Sequence, residues 1–362
     1  ETYLAHIQSA SSTQGRRLLD VLDLHWYSEA QGGGQRVAGG DNSAAVAAAR
    51  IQAPRSLWDP AYTETSWITQ WSTLGPIRLI PRMMEKIAAR YPGTLLAFSE
   101  YNHGGEDHIS GGLAQADTLG AFGREGVFAA NLWPLTSNRA FSYGAFRLYR
   151  NYDGSGGAFG DTSFSATASD NAMGSVYGSL DAGNPARVVA VLLNKDTLPR
   201  TAGLALTHTQ LFGHVEVYQL TAASSTPVRV ANIPLSLINA FHYNMPAMSV
   251  TTSRFTSSLP QNTSSRKSRW PPLNISAERV PSPPFQPEAS SCTKSANAAA
   301  FSSSVFAIRS VTSPICPRPF QPFFSILASR PEYRCATASY GTAQSTQQER
   351  PCTLKSARNP RL

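Results

Sequence analysis

Cysteine is missing from residues 1–253, while residues 254–362 hold no aspartate and a single glycine, Gly341. Each absence excludes something. A body without cysteine has neither a disulfide framework nor a thiolate metal site. The four cysteines, Cys292, Cys316, Cys335 and Cys352, stand 24, 19 and 17 positions apart, which matches no zinc spacing. No apolar run reaches the roughly 18 residues of a membrane helix, and nothing resembles a secretory leader. Gly32, Gly33 and Gly34 lack the Gly-Lys-Ser/Thr ending of a phosphate loop. No metal and no cofactor are expected.

The chain is made of two materials. Residues 1–253 carry 17 basic and 19 acidic side chains, whereas 254–362 carry 14 basic and 4 acidic ones with 14 of the 25 prolines. The formal charge of +8 therefore comes from the second part. Such charge usually points to nucleic acid or an anionic membrane. No RNA-binding pattern accompanies it here, so neither partner is expected. Stretches such as PICPRPFQPFF form neither helix nor central strand, and residues 254–362 are expected to be disordered. Their composition resembles out-of-frame translation or an unrelated fusion. The first residue is Glu, so the chain is expected to begin inside a longer protein.

Residues 1–152 read as alternating helix and strand. A helix end (1–19) precedes the strand LLDVLDLHWY, a Gly-rich loop and a helix over 44–51. Then come helix IRLIPRMMEKIAARY, strand TLLAFSE, helix GGLAQADTLGAFGREG, strand VFAANLW and helix AFSYGAFRLYRNY. That alternation favours a parallel α/β layer or barrel with the loops after each strand on one rim. After Asp153, short alternating runs separated by turn residues about every ten positions predict an antiparallel sandwich.

The segment TLLAFSEYNHGGEDHISGG carries the chemistry. A strand buried on both faces ends on Glu100 and breaks into a Gly-rich loop, where α/β folds place their reacting groups. Tyr101, Asn102 and His103 offer hydrogen bonds to a carboxylate or a sugar hydroxyl. A Glu at a strand end is equally a solvated or capping acid. Trp26, Tyr27 and Trp133 close strands, and Trp67 and Trp71 share a face if their segment is helical. Indoles at strand ends suit the flat C–H faces of sugars, although a lone Trp is more often core. Glycoside cleavage needs two carboxylates, and Glu106 and Asp107, on the loop of Glu100 itself, are poorly placed to be the second. His103 and His108 read as solvated.

The chain resembles glycoside hydrolase family 44, endoglucanases and xyloglucanases built from a (β/α)8 barrel and a β-sandwich. The resemblance rests on RRLLDVLDLHWYSEA, SLWDPAYTETSWI, MPAMSVTT and above all the stretch from IRLIPRMMEK to VFAANLWPL. It covers about residues 1–252 and implies a β-1,4-glucan or related plant polysaccharide as substrate, a retaining mechanism and a secreted parent enzyme. SEYN matches the family's TEYN-like motif, which makes Glu100 the implied nucleophile. Trp67, Trp71 and Trp133 resemble sugar-stacking residues, and His25 and Tyr27 would line the cleft. Counting back from Glu100 on strand seven, the resemblance implies that residues 1–152 are the C-terminal part of the barrel, strands six to eight. Residues 153–253 are the sandwich and 254–362 have no counterpart. No Asn-Glu-Pro motif occurs, so the acid/base is expected to be missing and this chain inactive. The competing expectation is a non-catalytic, polysaccharide-binding or structural fragment.

Overall fold

The computed structural model describes residues 1–235 and 239–256, together with two strands at 303–309 and 335–338. The first part runs α1 (Thr2–Gln14), β1 (Val21–Tyr27), the two-residue strands β2 (Gln31–Gly32) and β3 (Gln35–Arg36), and α2 (Ala44–Gln52). It continues with α3 (Leu79–Arg90), β4 (Leu95–Asn102), α4 (Ile109–Glu125), β5 (Ala129–Leu132) and α5 (Ala140–Arg150). Strands β1, β4 and β5 are parallel neighbours in that order. Pro81 falls in the first turn of α3, where its missing N–H leaves no helical bond unmade.

Alternation along β1 decides which side chains face the helices. Leu22, Leu24 and Trp26 join Leu96, Phe98 and Tyr101 of β4 in a core closed by Phe122 of α4 and Ile80 and Ile87 of α3. Asp23, His25 and Tyr27 take the opposite face, as the period of 2 requires.

The second part contains β6 (Thr162–Phe164), β7 (Ala166–Ala168), β8 (Gly174–Asp181), β9 (Asn184–Asn194), β10 (Arg200–Thr207) and β11 (His214–Thr221). Next in the chain are β12 (Ser224–Pro234), β13 (Ala240–Met245), β14 (Ser249–Thr256), β15 (Ser303–Arg309) and β16 (Cys335–Ala338). One sheet has the order β12-β11-β14-β9-β8-β6 and a second the order β13-β10-β15-β7. Strand β9 shows why the run VVAVLL is apolar throughout. Val189, Val191 and Leu193 pack on Leu113, Ala116 and Leu119 of α4 and Leu148 and Tyr149 of α5. Val188, Ala190 and Leu192 face Leu204, Leu206 and Phe241 of the second sheet. A sheet covered on both sides has no solvated face to encode.

Helix α4 is thus wedged between two sheets and is buried from Ile109 to Phe122. At Gly120 a methyl group would stand 2.2 Å from the Tyr177 ring, so only glycine lets α4 and β8 approach this closely. An ion pair is sealed in the seam: Lys195 Nζ lies 2.7 Å from Asp117 Oδ2, both side chains fully buried, and Tyr177 donates to Asp117 Oδ1 at 2.7 Å. Burial pushes the Asp117 carboxyl up, but the Lys195 ammonium and the bonds from Lys195 and Tyr177 outweigh it and hold the group below its ordinary value.

Two expectations change at the C-terminal side. Strand β14 runs past residue 253 to Thr256, with Phe255 buried and Arg254 Nη1 3.1 Å from Glu216 Oε2. Disorder throughout 254–362 does not hold either, since β15 pairs with β10 and β7, and β16 lies parallel to β1 with Val21 opposite Cys335. The segment SSVFAIR is free of proline and rich in strand formers, a local signal that the proline-rich flanks conceal. The rest of 257–362 lies outside the described residues. Among the described residues no helix is long and apolar enough to cross a membrane, and no cluster of three or more His, Cys, Asp or Glu is placed to hold a metal ion.

Candidate active site

Glu100 reaches the polar face of the parallel sheet because β4 carries one extra residue. Against β1, Leu24 pairs with Phe98 but His25 pairs with Glu100, which leaves Ser99 over. Against β5, the register likewise shifts between Phe98 and Tyr101. In a regular strand Glu100 would follow Leu96 and Phe98 into the helix-side core and Tyr101 would face outward. The bulge reverses that parity and re-aims the carboxylate.

The reversal corrects two of the expected ligand-binding residues. Tyr101 is fully buried, edge-on to Phe122 with ring centroids 5.0 Å apart, and its hydroxyl accepts from Gln115 Nε2 at 2.7 Å. Trp26, its cross-strand partner, is buried in the same core. Neither side chain lies on the face of the sheet that carries Glu100.

Four polar residues gather round Glu100. Tyr27 Oη donates to Glu100 Oε2 at 2.8 Å, and His25 Nδ1 lies 3.2 Å from the same oxygen. His25 Nε2 is 3.1 Å from Ser99 Oγ. Asp23 accepts from the Ser99 backbone N–H at 2.7 Å and from its hydroxyl at 2.5 Å. Glu100 and His25 remain accessible, with side chains 27% and 25% exposed. Burial, then the hydrogen bond to Glu100 and its charge, push the Tyr27 phenol well above its ordinary value. That keeps it a donor.

The expected tryptophans divide between two places. Trp133 follows β5 and is half exposed, its backbone N–H bonded to Tyr101 O at 3.1 Å and its carbonyl to Asn102 Nδ2 at 2.7 Å. Asn102 is therefore a buried brace for Trp133. Trp67 and Trp71 flank and occupy a single π turn (Ile68–Ser72) and are 43% and 80% exposed. The bond from Gln31 N–H to Thr65 O (2.9 Å) ties their loop to the segment after β1. The structure does not bring these two side chains into hydrogen-bond contact with Glu100.

The loop after β4 is not solvated as expected. His103 is buried with Nε2 3.0 Å from Thr118 Oγ1, and burial pushes its pKa down to about 4. His108 caps α4, accepting from Ser110 N–H. Glu106 Oε2 accepts the backbone N–H groups of Leu135 and Thr136, both at 2.8 Å, and so clamps the loop after β5. Beneath lies Arg50, fully buried, which donates to the carbonyls of Val37, Asp41 and His103 and to Asn42 and Ser110; burial lowers its pKa to about 10.

Sequence reasoning misses Asp23, Ser99 and Arg50. Asp23 stands two and four places before His25 and Tyr27, a period that already puts all three on one face. Arg50 is the one charge in an Ala-rich helix. Ser99 has no such signal.

The chain is similar to several known proteins. The family model for Glycoside hydrolase family 44 matches residues 1–30. Endoglucanase A of Paenibacillus lautus is 43% identical over 252 residues, 68% of this chain and 35% of that protein. The family 44 xyloglucanase of Paenibacillus polymyxa, solved also with xyloglucan, superposes with a TM-score of 0.69 at 38% identity over 71% of this chain and 50% of that one. A family 44 endoglucanase from Clostridium acetobutylium gives 0.69 at 41% identity, over 70% and 50%. The chain thus spans about a third to a half of these relatives' lengths, and within that span the mixed α/β architecture is theirs. It belongs to glycoside hydrolase family 44.

Proposed function

We propose that the chain carries the nucleophile of a retaining β-1,4-glucan hydrolase. Glu100 attacks the anomeric carbon, and water then releases the glycosyl-enzyme with retained configuration. One observation carries this reading: the Tyr27 and His25 contacts both fall on Oε2, which leaves Oε1 for the incoming carbon. In this reading β1, β4 and β5 are strands six to eight of a (β/α)8 barrel within residues 1–152, and residues 153–256 are the sandwich. The substrate is a cellulose- or xyloglucan-like polymer met outside the cell. Trp67, Trp71 and Trp133 stack on its rings.

Cleavage also needs a proton donor across the glycosidic bond. Among the described residues the loop acids are engaged: Glu106 with backbone N–H groups, Glu29 with Arg36 at 2.6 Å, and Glu64 with the Ser56 hydroxyl at 2.5 Å. Alone, the chain then reacts only where the leaving group needs no proton. With 2,4-dinitrophenyl β-cellobioside the expected outcome is one dinitrophenolate per protein and an adduct on the Glu100 peptide by mass spectrometry, neither of which survives Glu100→Ala. A folded chain without a burst overturns the nucleophile, and sustained turnover of xyloglucan overturns the missing donor. The second reading, a non-catalytic carbohydrate-binding fragment, is favoured by the exposure of the three tryptophans and predicts xyloglucan binding without a burst.

A further inference from the structure

We infer that Asp23, acting through Ser99, is a positioning residue that fixes the protons of His25 and so places a positive charge beside Glu100. The inference rests on Glu100 being the nucleophile only for its consequence, not for its geometry.

Protons can be counted along one chain of contacts. A carboxylate only accepts. Asp23 takes the Ser99 backbone N–H on Oδ1 and the Ser99 hydroxyl hydrogen on Oδ2. The hydroxyl proton is then committed, and Ser99 Oγ can only accept from His25 Nε2, 3.1 Å away. His25 therefore carries hydrogen on Nε2. Its other nitrogen, Nδ1, faces Glu100 Oε2 at 3.2 Å. A lone pair there would oppose a carboxylate oxygen, whereas a second hydrogen makes a charge-assisted bond. The ring that satisfies both contacts is the imidazolium.

The link between Asp23 and His25 exists because of the β4 bulge. Ser99 is the residue left over between two registers, and its side chain bridges two neighbours of the same face of β1. The imidazolium and the Tyr27 hydroxyl together occupy Oε2. The charge stabilises the ionised carboxylate before attack and again when the glycosyl–oxygen bond breaks.

Asp23→Asn tests this without changing shape. Oδ1 must still face the Ser99 N–H, so the new amide N–H points at Ser99 Oγ and donates to it. The Ser99 hydroxyl hydrogen then turns to His25 Nε2, and the ring keeps hydrogen on Nδ1 alone. Nitrogen-15 NMR of the His25 ring in the full chain is expected to show hydrogen on both nitrogens in the parent and loss of the Nε2 hydrogen in Asp23→Asn. Retention of that hydrogen overturns the inference. As a second probe, Ser99→Ala removes the acceptor of Nε2–H, and its exchange with solvent should accelerate at least about tenfold while Ser99→Thr restores protection. Unchanged exchange in Ser99→Ala likewise overturns it. Neither measurement uses turnover, so a ring that behaves as described in a chain giving no burst refutes the nucleophile and leaves the positioning intact. A burst with an unresponsive ring does the reverse.

Discussion

Two carboxylates in this chain each accept a tyrosine hydroxyl, Asp117 from Tyr177 at 2.7 Å and Glu100 from Tyr27 at 2.8 Å. Their surroundings give the same bond different work. Asp117 sits at zero exposure between α4 and the large sheet, paired with Lys195. Glu100 stands on a bulged strand end with a quarter of its side chain open. In the seam every partner serves to make a buried charge tolerable. At Glu100 the partners gather on one oxygen of a partly exposed side chain, so polar satisfaction there orients the group more than it stabilises the fold.

The sharpest way to break this contrast is Lys195→Met. It strands the Asp117 charge and is expected to cost about 3–5 kcal/mol in urea unfolding, with no change in the Glu100 adduct in whatever fraction remains folded. Next comes the loop between the two regions. The folded pKa of His103, about 4, lies below its ordinary 6.5, so between those values the unfolded chain binds more protons. Stability is complete above about pH 6.5, falls as pH drops and levels off below about 4, a loss on the order of 3 kcal/mol. Urea midpoints across that range should show the slope, and His103→Gln should flatten it. Asp117, held low, adds its loss only at more acidic pH.

The paired tyrosine substitutions give smaller effects and make the comparison direct. Tyr177→Phe should lower stability by about 2 kcal/mol, as for a hydrogen bond to a buried charge, and leave the dinitrophenolate burst unchanged. Tyr27→Phe should cost under about 1 kcal/mol in unfolding yet slow the burst about tenfold, a difference of roughly 1.4 kcal/mol in the barrier. Equal stability losses in the two variants would show that the two sites use the bond alike.

Much of the fold is legible along the chain. The alternation of helix and strand to residue 152 and the change to a succession of strands after Asp153 are local patterns that the structure keeps, whereas the strand of TLLAFSE runs two residues past Glu100 to Asn102. Trp26 and Tyr101 mislead because each adjoins residues of the polar face, His25, Tyr27 and Glu100, yet takes the opposite face. A strand separates neighbours onto opposite faces, and the bulge moves the boundary by one place. Arg50 and His103 are unreadable for another reason: a buried arginine or histidine is tolerable only when carbonyls or hydroxyls from distant segments meet it, here the carbonyls of residues 37 and 41 and the Thr118 hydroxyl.

The sequence by itself determined that Glu100 lies towards the C-terminal end of a strand, that Asp23, His25 and Tyr27 share a face, and that residues 1–253 differ in composition from residues 254–362. Only the tertiary structure decided which face Glu100 takes. That depends on the register of β4 against β1 and β5, and hence on hydrogen bonds between strands more than 70 residues apart. One surplus residue, Ser99, turns the carboxylate outward and supplies its link to Asp23. No pattern within TLLAFSEYN encodes that register, because backbone pairing is set by both neighbours at once.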